Sequence, residues 1–153
     1  GDVYKRQVIG SKAGVVWKRY RNSQASVDGV TPVITGNSLI SSVQMLCNYL
    51  GGGVNAADYM NQGHNAVETL NQINGVKGIS VTGVSYDEML SCISDGRPVI
   101  AKISSDEYIV ITAYNSNQIA YIESSTGTQK TISMSDAGKM FSQGGNIFVT
   151  YYK

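Results

Sequence analysis

Histidine is nearly missing from this 153-residue chain: His64 stands alone, beside two cysteines, Cys47 and Cys92. Structural zinc sites use four Cys or His ligands, so a protein-only zinc site is not expected, and nothing in the sequence calls for a cofactor. Long hydrophobic runs are missing too. No apolar stretch approaches the ~20 residues that span a bilayer, so no membrane insertion is expected within this segment. The net charge of +1 leaves no footprint for nucleic acid or an anionic membrane. Charged residues make up 15% of the chain and hydrophobic ones 42%, so Asn, Ser, Gln and Thr must supply much of the surface. No internal repeat or low-complexity segment is present. What remains is a single globular domain, long enough to bury a core. Sparse lysine and ten tyrosines suit an extracellular or cell-envelope setting.

The densest structural signal lies between Gly96 and Gly127. Pro98 to Ile103, Tyr108 to Tyr114 and Gln118 to Ile122 are runs of β-branched and aromatic residues. The last two flank Asn115-Ser116-Asn117, whose turn chemistry predicts a hairpin. Pro98 donates no ladder hydrogen bond and suits the start of its strand. Val99, Ile100, Ile109, Val110 and Ile111 are nearly continuous apolar positions, as in strands covered on both faces.

Around this sheet the periodicity predicts helices. From Ser38 to Leu50, apolar residues at Leu39, Ile40, Val43, Leu46, Cys47 and Leu50 make one face, capped at Asn37 or Ser38 and stopped by Gly51-Gly52-Gly53. This helix should cover the strand that holds Ile111. Short helices follow at Asn55 to Met60 and Asn65 to Ile73, then a strand at Ile79 to Thr82. Ser85-Tyr86-Asp87-Glu88 is a capping box that opens a helix carrying Met89, Leu90 and Ile93 inward and ending at Gly96. Thr128 to Ile132 is a further strand, Ser133 to Phe141 holds a short helix capped by Ser135, and Ile147 to Tyr151 is a closing strand. Ahead of the first helix, Val15-Val16-Trp17 and Val30 to Ile34 read as strands with a turn at Asp28-Gly29. Helices followed by a mostly antiparallel sheet make an α+β layout. Gly1 to Gln7 resembles read-through of a sequencing-library transposon end and is excluded from fold reasoning; residues 8–34 then form an N-terminal extension, residues 35–153 the main domain, and the chain is expected to belong to a longer one.

A helix ending in Asn48-Tyr49-Leu50-Gly51, a helix leading into Asp95-Gly96-Arg97-Pro98-Val99-Ile100, and the strand Tyr108-Ile109-Val110-Ile111-Thr112-Ala113-Tyr114 follow in an informative order. Segment order and motifs together resemble the papain-like double-glycine-leader (bacteriocin-processing) peptidases, over roughly Thr35 to Tyr152. The resemblance implies a papain-like fold with a cysteine opening the first helix, a histidine just before the Tyr-x-Val-Ile strand, and an aspartate ending the next strand. Those positions fall on Ser38, Glu107 and Glu123, and the family's oxyanion glutamine has no counterpart near Pro32. All depart from the family pattern. A serine hydroxyl needs a base that shuttles protons near pH 7, and a glutamate with a reference pKa of ~4.3 is a poor one.

The resemblance thus implies a non-catalytic relative whose cleft, formed by Asn37, Ser38, Glu107, Tyr108 and Glu123, binds a peptide or protein segment. Degenerate domains of some export transporters hold substrate in this way without cutting it. Ser38 and Glu107 should approach within ~8 Å, since nucleophile and base of active relatives need near hydrogen-bond reach, and Glu123 should lie on the same side as Glu107. The competing reading is an active peptidase or acyltransferase, using Ser38 or a cysteine with His64. A structural spacer, its groove filled by its own side chains, is a third. Cys47 and Cys92 read as small buried hydrophobes, with a Cys47–Cys92 disulfide open if the chain is exported. His64 reads as a solvated residue ahead of a helix. Gly51-Gly52-Gly53 lacks the ending of a phosphate loop, and Lys18-Arg19-Tyr20-Arg21 reads as a solvated basic face.

Overall fold

The computed structural model describes residues 16–153 together with the backbone of Gln7–Ile9. One antiparallel sheet organises them, with helices against both of its faces. Its strands are β1 (Gln7–Ile9), β2 (Ala25–Ser26), β3 (Lys77–Thr82), β4 (Val99–Lys102), β5 (Tyr108–Tyr114), β6 (Gln118–Glu123), β7 (Thr128–Ser133) and β8 (Ile147–Tyr152). They lie in the order β1-β3-β8-β4-β5-β6-β7, while β2 pairs with β5 beyond the start of β4. The α+β reading holds. Of the stretch set aside at the N-terminus, Gln7 stands opposite Thr82, and residues 1–6 lie outside the described residues.

The nearly continuous apolar runs are explained by alternation along each strand. Val99, Ala101, Ile109, Ile111 and Tyr121 project into one core with α4 (Tyr86–Ser94) and α5 (Met134–Gln143). Ile100, Val110 and Ile122 project into the other with α1 (Ser38–Leu50), α2 (Ala56–Asn61) and α3 (Ala66–Leu70). Leu46 and Ile111 therefore lie in different cores. Helix α1 covers the strand, but it is Val110 that faces the Leu46 side. Strand β8 is not a closing strand either. Phe148 faces the α4 side while Val149 and Tyr151 face the α1 side, and a strand apolar on both faces belongs in the middle, between β3 and β4.

Several local readings hold in atomic detail. Asn37 caps α1 by accepting the Ile40 N–H, and Gly51 ends the helix at φ 70°, a left-handed conformation that glycine adopts without strain. The Ser85–Glu88 capping box is present, and a second one joins Asn65 to Glu68. Asn115 closes the β5–β6 hairpin through its backbone N–H to the Gln118 carbonyl and its side chain to Asn117 and Gln118. Other readings need correction. Helix α5 is capped by Ser133, not Ser135, because β7 runs directly into it and the Ser133 hydroxyl is placed to accept the Asp136 N–H. Val30 to Ile34 is not a strand. Pro32 cannot donate to a ladder, and Val30 and Val33 pack as a strap against the cores. The short N-terminal strand is instead Ala25–Ser26, extended by the Val27 N–H to the Thr112 carbonyl. Val16 and Trp17 are buried but form no strand, and Val15 lies outside the described residues.

Candidate functional site

The N-terminal end of α1 meets the sheet where the β4–β5 turn and the end of β6 come together. Ser38 is the first residue of α1 and is buried, at 7% exposure. Its hydroxyl accepts the Tyr108 N–H at 2.9 Å and donates to the Asp106 carbonyl at 3.3 Å. Glu107, between those two residues, is exposed, and its carbonyl accepts the Ile103 N–H to close the turn. The structure thus brings Ser38 and the Glu107 backbone into one place, with Asn37 exposed beside them and Tyr108 half-buried against the α1 core. Burial pushes the Tyr108 phenol above its ordinary pKa.

Glu123 is not part of this arrangement. It stands opposite Ile109, and directly opposed residues point to the same face, which here is the α4 side. Its carboxylate accepts from Lys130 at 2.8 Å and from Thr126 at 2.8 Å. Those bonds hold its pKa below the ordinary range. The residue that points toward α1 is the next one, Ser124, which is 1% exposed and lies 2.7 Å from the Ser42 hydroxyl. Ser42 is also 2.7 Å from the Ser38 carbonyl. Ser41, on the same turn, contacts the Thr35 hydroxyl at 2.8 Å and accepts the Thr35 N–H at 3.0 Å. Three serines at the start of α1 therefore tie it to three separate segments. Sequence reasoning missed Ser41, Ser42 and Ser124; the available signal was strand alternation, which puts residues 123 and 124 on opposite faces.

The chemical consequence is direct. A serine nucleophile needs a base on its proton, and Ser38 Oγ instead donates that proton to a backbone carbonyl. His64 is elsewhere, in the α2–α3 loop. Its ring stacks on Tyr59 at 3.8 Å, and Nδ1 lies 3.7 Å from Glu68. Cys47 is in the core on the α1 side and Cys92 in the core on the α4 side, so the sheet separates them and both are free. The disulfide left open by the sequence is not formed. Burial pushes the Cys47 thiol up to about 11 and the Cys92 thiol up to about 12. His64 contacts Tyr59 and Glu68, and neither cysteine is among its partners. Among the described residues no cluster of His, Cys, Asp or Glu could hold a metal ion, and no helix is long and apolar enough to cross a membrane.

Comparison with known proteins agrees with the architecture. No family model and no curated protein matches the sequence. Among solved structures, the chain is similar to a protein assigned as a C39-like peptidase from Bacillus anthracis, with a TM-score of 0.73 at 12% identity, over 86% of this chain and 98% of that one. It is also similar to a double-glycine-motif protease from an AMS/PCAT transporter, solved with its leader peptide, with a TM-score of 0.58 at 16% identity, over 88% of this chain and 94% of that one. At such identities the likeness is one of fold. The chain has the papain-like fold of the C39-like peptidases.

Proposed function

We propose that this domain is a non-catalytic papain-like module, which holds a peptide or protein segment at the cleft between α1 and the β4–β5 turn. We place it in a larger exported or envelope-associated bacterial protein. One observation carries the reading: the hydroxyl at the nucleophile position is buried and engaged on both sides by backbone, with no imidazole beside it. The peptide part is supported by the leader peptide bound to a protein of the same fold. It is also supported by the exposed Ile34, 65% accessible beside the β6–β7 turn at Gly127 and four residues before Ser38, which offers apolar contact to a partner.

Incubation with double-glycine leader peptides and with casein should give no cleavage above a Ser38→Ala control. Titration of fluorescently labelled leader peptides should give saturable binding that Ile34→Ser weakens. Turnover abolished by Ser38→Ala overturns the non-catalytic reading. A structural spacer is the second reading, favoured by the strap from Val30 to Ile34, which places Ile34 and Pro32 against Gly127. Absence of saturable binding by any leader peptide would favour the spacer.

A further inference from the structure

A cavity lies at the opposite end of α1 from Ser38. It measures about 580 Å³, within the size range of small-molecule sites, and opens between the end of α1, the α4–β4 connection and the end of β8. Helix α1 has 13 residues, so at ~1.5 Å per residue the cavity is roughly 20 Å from the peptidase-like cleft.

Its lining combines tyrosine rings with polar groups whose bonding is incomplete. Tyr49, Tyr151 and Tyr152 supply the rings. Tyr151 is 3% exposed, yet its hydroxyl bonds no described residue. Among the described residues the sealed side-chain polar atom without a partner is Trp17 Nε1, so the Tyr151 hydroxyl must reach the cavity's solvent. A phenol oxygen that no protein group binds and that faces the cavity is open to a ligand hydroxyl. Arg97 uses three N–H groups, toward the carbonyls of Tyr151 and Val16 and toward Asp95 Oδ2; a guanidinium has five, so about two remain. Asp95 Oδ2 also takes Lys18 at 2.8 Å, which leaves Oδ1 as an acceptor.

We infer that this cavity is a binding site for a polyhydroxylated ligand the size of a mono- or disaccharide. Asp95 is held by both Arg97 and Lys18, and Lys153 also lines the cavity, so a free cation would meet positive side chains while a free anion would still meet the Asp95 carboxylate. A ring bearing hydroxyls, each both donor and acceptor, satisfies the mixed set of Arg97 N–H groups, Asp95 Oδ1 and the Tyr151 hydroxyl. Its C–H faces suit the tyrosine rings, and the site is independent of the cleft around Ser38.

The test is NMR titration of the folded chain with glucose, galactose, N-acetylglucosamine and lactose, with acetate and phosphate as anion controls. At sugar concentrations up to about 50 mM, millimolar dissociation constants are readable. At least one sugar should shift the amide signals of Tyr49, Gly96, Arg97 and Tyr151 saturably. Tyr151→Phe, which removes one oxygen, should weaken that binding about tenfold and leave Tm unchanged, because the hydroxyl has no protein partner to lose. Asp95→Asn should weaken it as well, and supplies the variant test if Tyr151→Phe does not fold. Glu107→Gln, at the other end of α1, should change nothing. The inference is overturned if no sugar shifts these signals, if only the anions do, or if Tyr151→Phe binds as tightly as the parent.

Discussion

Ser38 Oγ and the Tyr108 N–H are 2.9 Å apart, and through this bond α1 is latched to the first residue of β5. The same oxygen donates to the Asp106 carbonyl, so one hydroxyl brackets Glu107 from both sides. This fastening is continued by Ser42 and Ser124 one turn further along.

Removing the fastening should be visible as stability. Ser38→Ala leaves the Tyr108 N–H and the Asp106 carbonyl without their partner, which costs ~1–3 kcal/mol in a partly buried setting. Urea denaturation should show a lower midpoint at an unchanged slope. A variant as stable as the parent would mean that the latch contributes nothing.

The two cores make separate demands. Leu46→Ala and Ile111→Ala should each destabilise by ~2–5 kcal/mol, since both side chains are fully buried. Because they lie on opposite faces of the sheet, their costs should add to within ~0.5 kcal/mol in the double variant. Leu46→Ala with Val110→Ala, on one face, should depart from additivity. Strong coupling between Leu46 and Ile111 would contradict the two-core arrangement.

The thiols should be unreactive in the native state. With burial pushing Cys47 up to about 11 and Cys92 up to about 12, almost no thiolate exists at pH 8, and both residues are sealed. An aromatic disulfide reagent should titrate neither cysteine until denaturant is added, then both. Fast modification of either under native conditions would place that residue nearer solvent than it is here.

Acid should act through Glu123. Its folded pKa is held down by Lys130 first and Thr126 second, so the unfolded chain binds the proton more readily. The stability it contributes is present above the ordinary glutamate pKa of ~4.3 and lost as pH falls through the lower folded value. Lys130, raised by the same contact, loses its share only as pH climbs past the lysine range. Glu123→Gln should therefore be less stable than the parent at pH 7, and the difference should shrink steadily below pH ~4. A gap that stays constant to pH ~2 would show that the carboxylate's charge is not what matters.

The sequence by itself determined whatever depends on near neighbours along the chain. Asn37 and Gly51 bound α1 because a cap and a left-handed stop are local chemistry, and the same holds for the Ser85–Glu88 box and the Asn115 hairpin turn. Alternation also made the double-faced sheet legible, and segment order pointed to the papain-like fold that the solved structures share. Tertiary structure decided the rest. The place of β8 between β3 and β4 depends on strands distant in sequence. So does the failure of Val30 to Ile34 to pair, since a β-prone run becomes a strand only when an edge is offered to it. The face of Glu123 followed from its register with Ile109, which no local pattern specifies. The separation of Cys47 from Cys92 followed from which side of the sheet each helix packs. At Ser38 the residue type was readable at once. That its hydroxyl is engaged was fixed by a turn 68 residues away, where a backbone carbonyl and an N–H happen to come within hydrogen-bond reach.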